Sequence, residues 1–171
     1  MYKEHLITKI AIVILLSAGF QGLRAQDHSK SHLHEDHGRD GHNKSEIGLA
    51  LAPVYFFDEK ELSAGIHFHY TYNFPDTKFG LGLAYEHIFD KHKHNFVGLE
   101  GAFRPVHPIS VSFTPGMTFE GEHFSKGEFA FHVETGYEFE LKNVHLGPVL
   151  EFAWHSEGYH ASVGVHLGIG L

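Results

Sequence analysis

The sequence contains no cysteine among its 171 residues. The chain therefore has neither a disulfide framework nor a thiol that would carry a lipid anchor. Its apolar run at residues 10–16 is too short for a transmembrane helix, which needs about 20 apolar residues. Positive charge is also scarce: the net charge is -8, which excludes nucleic acid as a partner because phosphate binding needs a basic patch. Stability must come from backbone pairing and burial.

Motifs of common enzymes are missing as well. The pair Gly80 and Gly82 lies in a predicted strand with no helix after it, so it does not form a nucleotide-binding loop. Ser110, Ser112 and Ser125 lack the flanking residues of a nucleophile elbow. We predict a protein that is not an enzyme and requires no cofactor.

The N-terminus has the pattern of a secretory signal peptide. Lys3 and Lys9 precede the apolar run, and small and polar residues follow as far as Ala25. This pattern predicts a signal peptide over residues 1–25. Residues 26–45 are polar with one apolar residue, Leu33, and cannot bury enough surface to fold. They are predicted to form a flexible, histidine-rich tail.

From residue 46 onward, large apolar residues alternate with small or ionisable ones. The pattern is clearest over residues 128–141, and period two over that length indicates a β-strand long enough to cross a bilayer. Seven other segments repeat it, at 46–57, 61–74, 78–88, 95–104, 108–120, 144–155 and 159–171. The joints between them are short and rich in turn residues. The sequence therefore predicts an all-β fold, an eight-stranded antiparallel up-and-down barrel.

The composition of the two strand faces decides which one points outward. The face opposite the apolar one is mostly Gly, Ala, Ser, His and Glu, which suits the crowded interior of a small barrel. Aromatic residues collect near the strand ends of the apolar face, as membrane-interface girdles do. These features favour a transmembrane barrel. The alternative is a secreted, soluble, lipocalin-like barrel with its apolar face inside and a ligand there.

This pattern resembles the small eight-stranded outer-membrane β-barrels of Gram-negative bacteria, the outer-membrane protein A and X type. The resemblance covers residues 46–171. It implies a porin-like fold in the cell outer membrane, both termini in the periplasm, and a monomer whose partners are outer-membrane lipids and the barrel-assembly machinery. It says little about activity.

The sequence has 18 histidines, and the predicted topology divides them into three sets. Imidazoles mixed with carboxylates are potential ligands for Zn, Cu or Ni. The first set lies in the tail and comprises His28, His32, His34, His37 and His42. The second lies at the predicted extracellular rim and comprises His87, His92, His94, His123, His155 and His160. Both are candidate metal ligands, with a solvated tail and an ordinary polar rim as the alternatives.

The third set faces the predicted lumen as a polar network with carboxylates and one arginine. Its members are His67, His69, Glu86, Glu100, Arg104, His132, Glu134, Glu151 and His166. Buried carboxylates need positive partners, so we interpret this set as a structural network, with a proton or metal path as the alternative. The sequence thus predicts a barrel that binds divalent metal ions through its tail and rim. The alternative is a structural or surface-interaction barrel with no metal role.

Overall fold

The alternating segments form antiparallel strands in the computed structural model, which describes residues 44–121, 127–156 and 158–171. The strands are β1 (Ser45–Phe56), β2 (Glu61–Asn73), β3 (Phe79–Ile88), β4 (Asn95–Val106), β5 (Ile109–Phe119), β6 (Gly127–Tyr137), β7 (Phe139–Leu141), β8 (Val144–His155) and β9 (Gly158–Gly170). No helix long and apolar enough to span a membrane occurs in these three described stretches.

Each strand pairs with its neighbours along the chain, and the sheet closes on itself. Strand β7 continues β6 after Glu138, and both pair with β8 in a single register. Strand β1 pairs with β2 on one side and with β9 on the other, so the sheet has no free edge. The result is a closed eight-stranded antiparallel barrel, which confirms the predicted fold class.

The barrel exposes its apolar residues and buries its polar ones. Leu83 and Val165 on the outer face are 61% and 55% exposed, whereas Glu86 and Glu151 inside are 3% and 2% exposed. This is the arrangement of a transmembrane barrel, whose outer surface meets lipid. The soluble lipocalin-like alternative required the apolar face inside and is wrong.

The two ends of the barrel differ. We call the end with the described residues 57–60, 89–94, 120–121 and 156 the loop end. The opposite end, the terminal end, has the segments 74–78, 107–108 and 142–143 and the two chain ends of the barrel. There the Leu171 backbone N–H donates to the Ser45 carbonyl at 2.8 Å. The fifth strand begins at Ile109 rather than at Pro108, since proline has no N–H to donate to the ladder.

Near the loop end, a few apolar side chains point inward against the general pattern. Val54, Phe56 and Ile88 form a buried cluster there, and Phe96 is 2% exposed. The sequence analysis did not assign these four residues to the interior, because it described the inward face by its small and ionisable members. The ring of Phe56 contacts those of His94 and His160, and the ring of Phe96 stacks on that of His132.

Candidate functional site

The most concentrated set of ionisable side chains in the described interior comes from four different strands. Glu86 on β3, His132 on β6, Glu151 on β8 and His160 on β9 meet near the middle of the loop half of the barrel. All four are at most 4% exposed. Because β3 and β8 lie on opposite sides of an eight-stranded barrel, their carboxylates reach each other across the lumen. We call these four residues the central cluster.

The spacing in the central cluster is too wide for hydrogen bonds. His132 Nδ1 lies 3.7 Å from Glu86 Oε2 and 3.5 Å from Glu151 Oε2. His160 Nε2 lies 3.8 Å from an oxygen of each carboxylate. N–H···O bonds span about 2.7–3.2 Å, whereas neighbouring ligands of a tetrahedral zinc ion, with bonds near 2.0–2.1 Å, lie about 3.3 Å apart. The observed distances are closer to the spacing of metal ligands.

Several polar atoms of the central cluster are buried without a partner. His132 Nδ1, Glu151 Oε1 and both ring nitrogens of His160 make no hydrogen bond to any residue that the structure describes. Leaving buried polar atoms unpaired costs about 1–3 kcal/mol each. A divalent cation held by two carboxylates and two neutral imidazoles would ligate one ring nitrogen of each histidine and cancel the two negative charges.

Three further groups of potential ligands lie toward the terminal end. They are His67 with Glu134 and Glu151, then His67 with His69 and Glu100, then Glu46 with His69 and His166. In each group the ligand atoms lie within 4.8 Å of one another. His67 Nδ1 is 3.3 Å from Glu151 Oε2, so the first of these groups adjoins the central cluster on its terminal-end side.

Glu46 organises the terminal end of the lumen. Its Oε2 accepts a hydrogen bond of 2.9 Å from Arg104, and its Oε1 lies 3.3 Å from His69 Nε2 and 3.2 Å from His145 Nε2. Glycines at Gly48 and Gly168 make room for these rings, since a Cβ at either position would collide with an imidazole. Arg104 also donates to Asn73 Oδ1 at 2.6 Å.

A cavity of about 140 Å³ opens at the loop end. His92, His94 and His155 line it together with Glu59 and Glu120. His92 Nε2 is 3.5 Å from Glu59, and His94 Nε2 is 3.6 Å from Glu120. The cavity therefore brings together imidazoles and carboxylates from loops that are distant in sequence.

Asp90 fixes the orientation of His94. Its carboxylate lies 2.9 Å from His94 Nδ1 and accepts backbone N–H bonds of 3.0 Å from His92 and His94. A carboxylate on one ring nitrogen leaves the other free to ligate a metal, as in many metal sites. His94 Nε2 is thus directed toward Glu120 at the loop-end cavity.

The electrostatics of these exposed loops follow from their hydrogen bonds. Burial raises the pKa of Asp90, but the hydrogen bonds from His94 and His92 outweigh burial and lower it below its ordinary value. In the neighbouring loops, the ammonium of Lys91 lies 2.6 Å from Glu59 and lowers the pKa of that carboxyl. Asp90 and Glu59 are therefore ionised at neutral pH.

Asp90 should make the 89–94 loop sensitive to acid. A carboxyl whose folded pKa lies below its unfolded value of about 3.9 contributes stability above pH 4 and loses it as pH falls through the folded pKa. We expect the hydrogen-exchange protection factors of the His92 and His94 amides to be constant near neutral pH and to fall below about pH 4. Asp90→Asn should remove this pH dependence, and protection that persists in the wild type at pH 2 would contradict it.

The predicted rim histidines occupy three kinds of position. His92, His94 and His155 line the loop-end cavity, whereas His160 lies deeper, in the central cluster. His87 is on the outer face of β3, with Nδ1 2.8 Å from Asn95 Oδ1, and so does not join the cavity. His123 and the five tail histidines lie outside the described residues. The rim prediction thus put His87, His155 and His160 in one set, whereas strand alternation places His87 on the outer face and the other two inside.

The predicted lumen set lies inside the barrel. Its nine members occur in the central cluster, in the three groups below it, or, for Arg104, against Glu46. The sequence analysis left Glu46 out of this set, although the alternation places it on the inward face. The sequence did not indicate the role of Glu46, because β9, the strand that pairs with β1 at this residue, is distant in sequence.

Solved structures share this fold. A de novo designed transmembrane β-barrel matches with a TM-score of 0.52 at 12% identity, over 74% of this chain and 97% of that chain. Neisserial surface protein A matches at 0.51 and 10% identity, over 74% and 96%. Ail, the attachment invasion locus protein of Yersinia pestis, matches at 0.51 and 16% identity, over 75% and 97%. No family model and no curated protein matches. The chain thus has the fold of small eight-stranded outer-membrane barrels.

Proposed function

We propose that this protein is an outer-membrane β-barrel that binds a divalent transition metal ion in its lumen, at the central cluster of Glu86, His132, Glu151 and His160. The observation that carries the proposal is the set of four buried ligand atoms within 4.8 Å of one another, several of them without a hydrogen-bond partner. Two carboxylates and two imidazoles form a ligand set suited to Zn²⁺, and Cu²⁺ and Ni²⁺ also bind such donors.

The proposal extends to location and orientation. The apolar outer face supports membrane insertion, and the outer membrane is where barrels of this fold occur. The two longest connections between strands, after β3 and after β5, fall at the loop end, which supports an extracellular loop end and periplasmic termini. In this arrangement the barrel is a monomer inserted by the barrel-assembly machinery, and its loop-end cavity faces the medium.

The loop-end cavity is part of this proposal as a second, weaker site. His92, Glu59 and Glu120 in it are solvent-accessible, and Asp90 orients the buried His94 toward it. The proposed tail ligands, His28, His32, His34, His37 and His42, stay a prediction from the sequence. A metal role for the tail would raise the local concentration of ions near the barrel.

The central cluster can be tested by titrating Co²⁺ into the full-length mature barrel in detergent and recording visible absorption. Four-coordinate Co²⁺ absorbs far more strongly than the hydrated ion, so signal from the buried site separates from weak surface binding. Glu86→Gln and His160→Gln should each weaken binding. Removing a mere outer partner of a ligand lowers metal affinity by about 10- to 100-fold, and removing a ligand should cost at least as much.

Matched variants distinguish the sites. His87→Gln changes a histidine on the outer face and should leave the absorption unchanged. A chain with all five tail histidines changed to alanine tests the tail, and His92→Gln with His94→Gln tests the loop-end cavity. If the two cluster variants bind Co²⁺ as the wild type does, the central cluster is a structural network and the proposal is wrong. The protein would then be a structural or surface-interaction barrel.

A further inference from the structure

The four ligand groups in the lumen form a connected series. The central cluster shares Glu151 with the group of His67 and Glu134. That group shares His67 with the next one, which contains His69 and Glu100, and His69 belongs in turn to the last group with Glu46 and His166. An ion that leaves one group can therefore keep a ligand while it acquires the ligands of the next.

Histidine rings connect the central cluster to the loop-end cavity. The ring centroids of His94 and His155 are 5.8 Å apart, and those of His155 and His160 are 6.2 Å apart. A small cavity of about 10 Å³ lies beside the cluster, and His94 and His155 line both this cavity and the larger one. The series of ligands thus begins at a cavity that solvent reaches.

The series continues toward the terminal end. A cavity of about 30 Å³ lies among Glu46, His69, Glu100 and His166, which are four of the five ligands of the last two groups. The rings of His166 and His145 are 5.2 Å apart, and His145 Nε2 contacts Glu46. Potential metal ligands are therefore present along the lumen from the loop-end cavity to Glu46 near the terminal end.

The charge of the lumen favours a cation. Across the nine described strands Arg104 is the one lysine or arginine, whereas Glu46, Glu86, Glu100 and Glu151 are all buried there. The cavities are too small for a hydrated ion, and a bare ion is stable in such surroundings only if side chains replace its water. Passage would therefore require exchange of ligands rather than free diffusion.

We propose that the barrel conducts a divalent transition metal ion across the membrane by ligand exchange along this series. This inference rests on the proposed metal binding at the central cluster and adds transport to it. The ion is held by Glu151 while Glu86, His132 and His160 are released and His67 and Glu134 bind, and His67 and then His69 hold it in the following steps. Ca²⁺ takes six to eight oxygen ligands and is excluded, because no group offers that number.

The proposal can be tested with the full-length mature barrel in liposomes that contain a zinc-sensitive dye. Addition of Zn²⁺ outside should raise the dye signal faster than in liposomes without protein, and Ca²⁺ with a calcium dye should give no increase. His67→Gln breaks the series between the central cluster and the terminal end. We expect it to reduce Zn²⁺ entry to the protein-free rate. Because His67 also contacts Glu151, the retention of Co²⁺ absorption at the central cluster is measured on His69→Gln, whose contacts are with Glu46 and Glu100.

His69→Gln interrupts the next step and should have the same effect, so the test does not depend on the folding of one variant. His87→Gln on the outer face should conduct as the wild type does. Wild-type liposomes that bind the metal but admit no Zn²⁺ would overturn conduction and leave the proposed function intact. Conduction that survives both His67→Gln and His69→Gln would also overturn it. Loss of metal binding itself would contradict the proposed function instead.

Discussion

Leu99→Arg and Val165→Arg should each destabilise the barrel in lipid by about 2–4 kcal/mol. Leu99 is 52% and Val165 55% exposed on the outer face, in the middle of β4 and β9. A charged side chain there would replace an apolar one in the hydrocarbon layer, where water cannot solvate it. The cost should be greatest at this depth and smaller toward the strand ends.

Ser112→Arg is the matched control for these two variants. Ser112 faces the lumen, where it lines the same cavity as Glu134 and is paired with that residue across β5 and β6. An arginine at this position can pair with carboxylates and should be tolerated better. Urea midpoints in lipid vesicles give the comparison. Equal loss of stability at the inward and outward positions would contradict the assignment of the apolar face to lipid.

The fold was largely predictable because strand alternation depends only on nearest neighbours in sequence. Period two at Phe129, Phe131 and Val133 fixes which side chains share a face, and short turns fix which strands pair. The sequence analysis placed Phe57 on the outward face, where it lies, but it did not assign the inward-facing apolar side chains of the loop end, such as Phe56.

The site was less predictable because it depends on contacts across the lumen. Alternation places Glu86 and His160 inside, but the height of each strand in a closed barrel depends on the stagger of all the strands between them. The sequence analysis thus recognised a polar lumen without showing that Glu86 meets Glu151, or that His160 belongs with them rather than with the rim. The series of shared ligands appears only once the register of every strand pair is known.

Glu46→Ala should cost about 3–5 kcal/mol, because it leaves a buried arginine without its carboxylate. Glu46 is 6% exposed, and the side chain of Arg104 is 12% exposed. Without Glu46 the guanidinium keeps its hydrogen bond to Asn73, but the nearest other carboxylate, that of Glu138, is 4.0 Å from Nε. Glu46→Gln keeps the shape of the side chain and removes only the charge, so it separates electrostatics from packing.

The double variant Glu46→Ala, Arg104→Met tests the same ion pair by removing both of its charges. Removing both charges leaves no buried ion unpaired, and replacing a buried ion pair with apolar side chains is often close to neutral. We therefore expect the double variant to be more stable than Glu46→Ala alone, even though it carries one more substitution. Urea unfolding in vesicles of all four members of the cycle gives the coupling energy. A double variant whose loss equals the sum of the two single losses would mean that Glu46 stabilises the barrel through His69 and His145 rather than through Arg104.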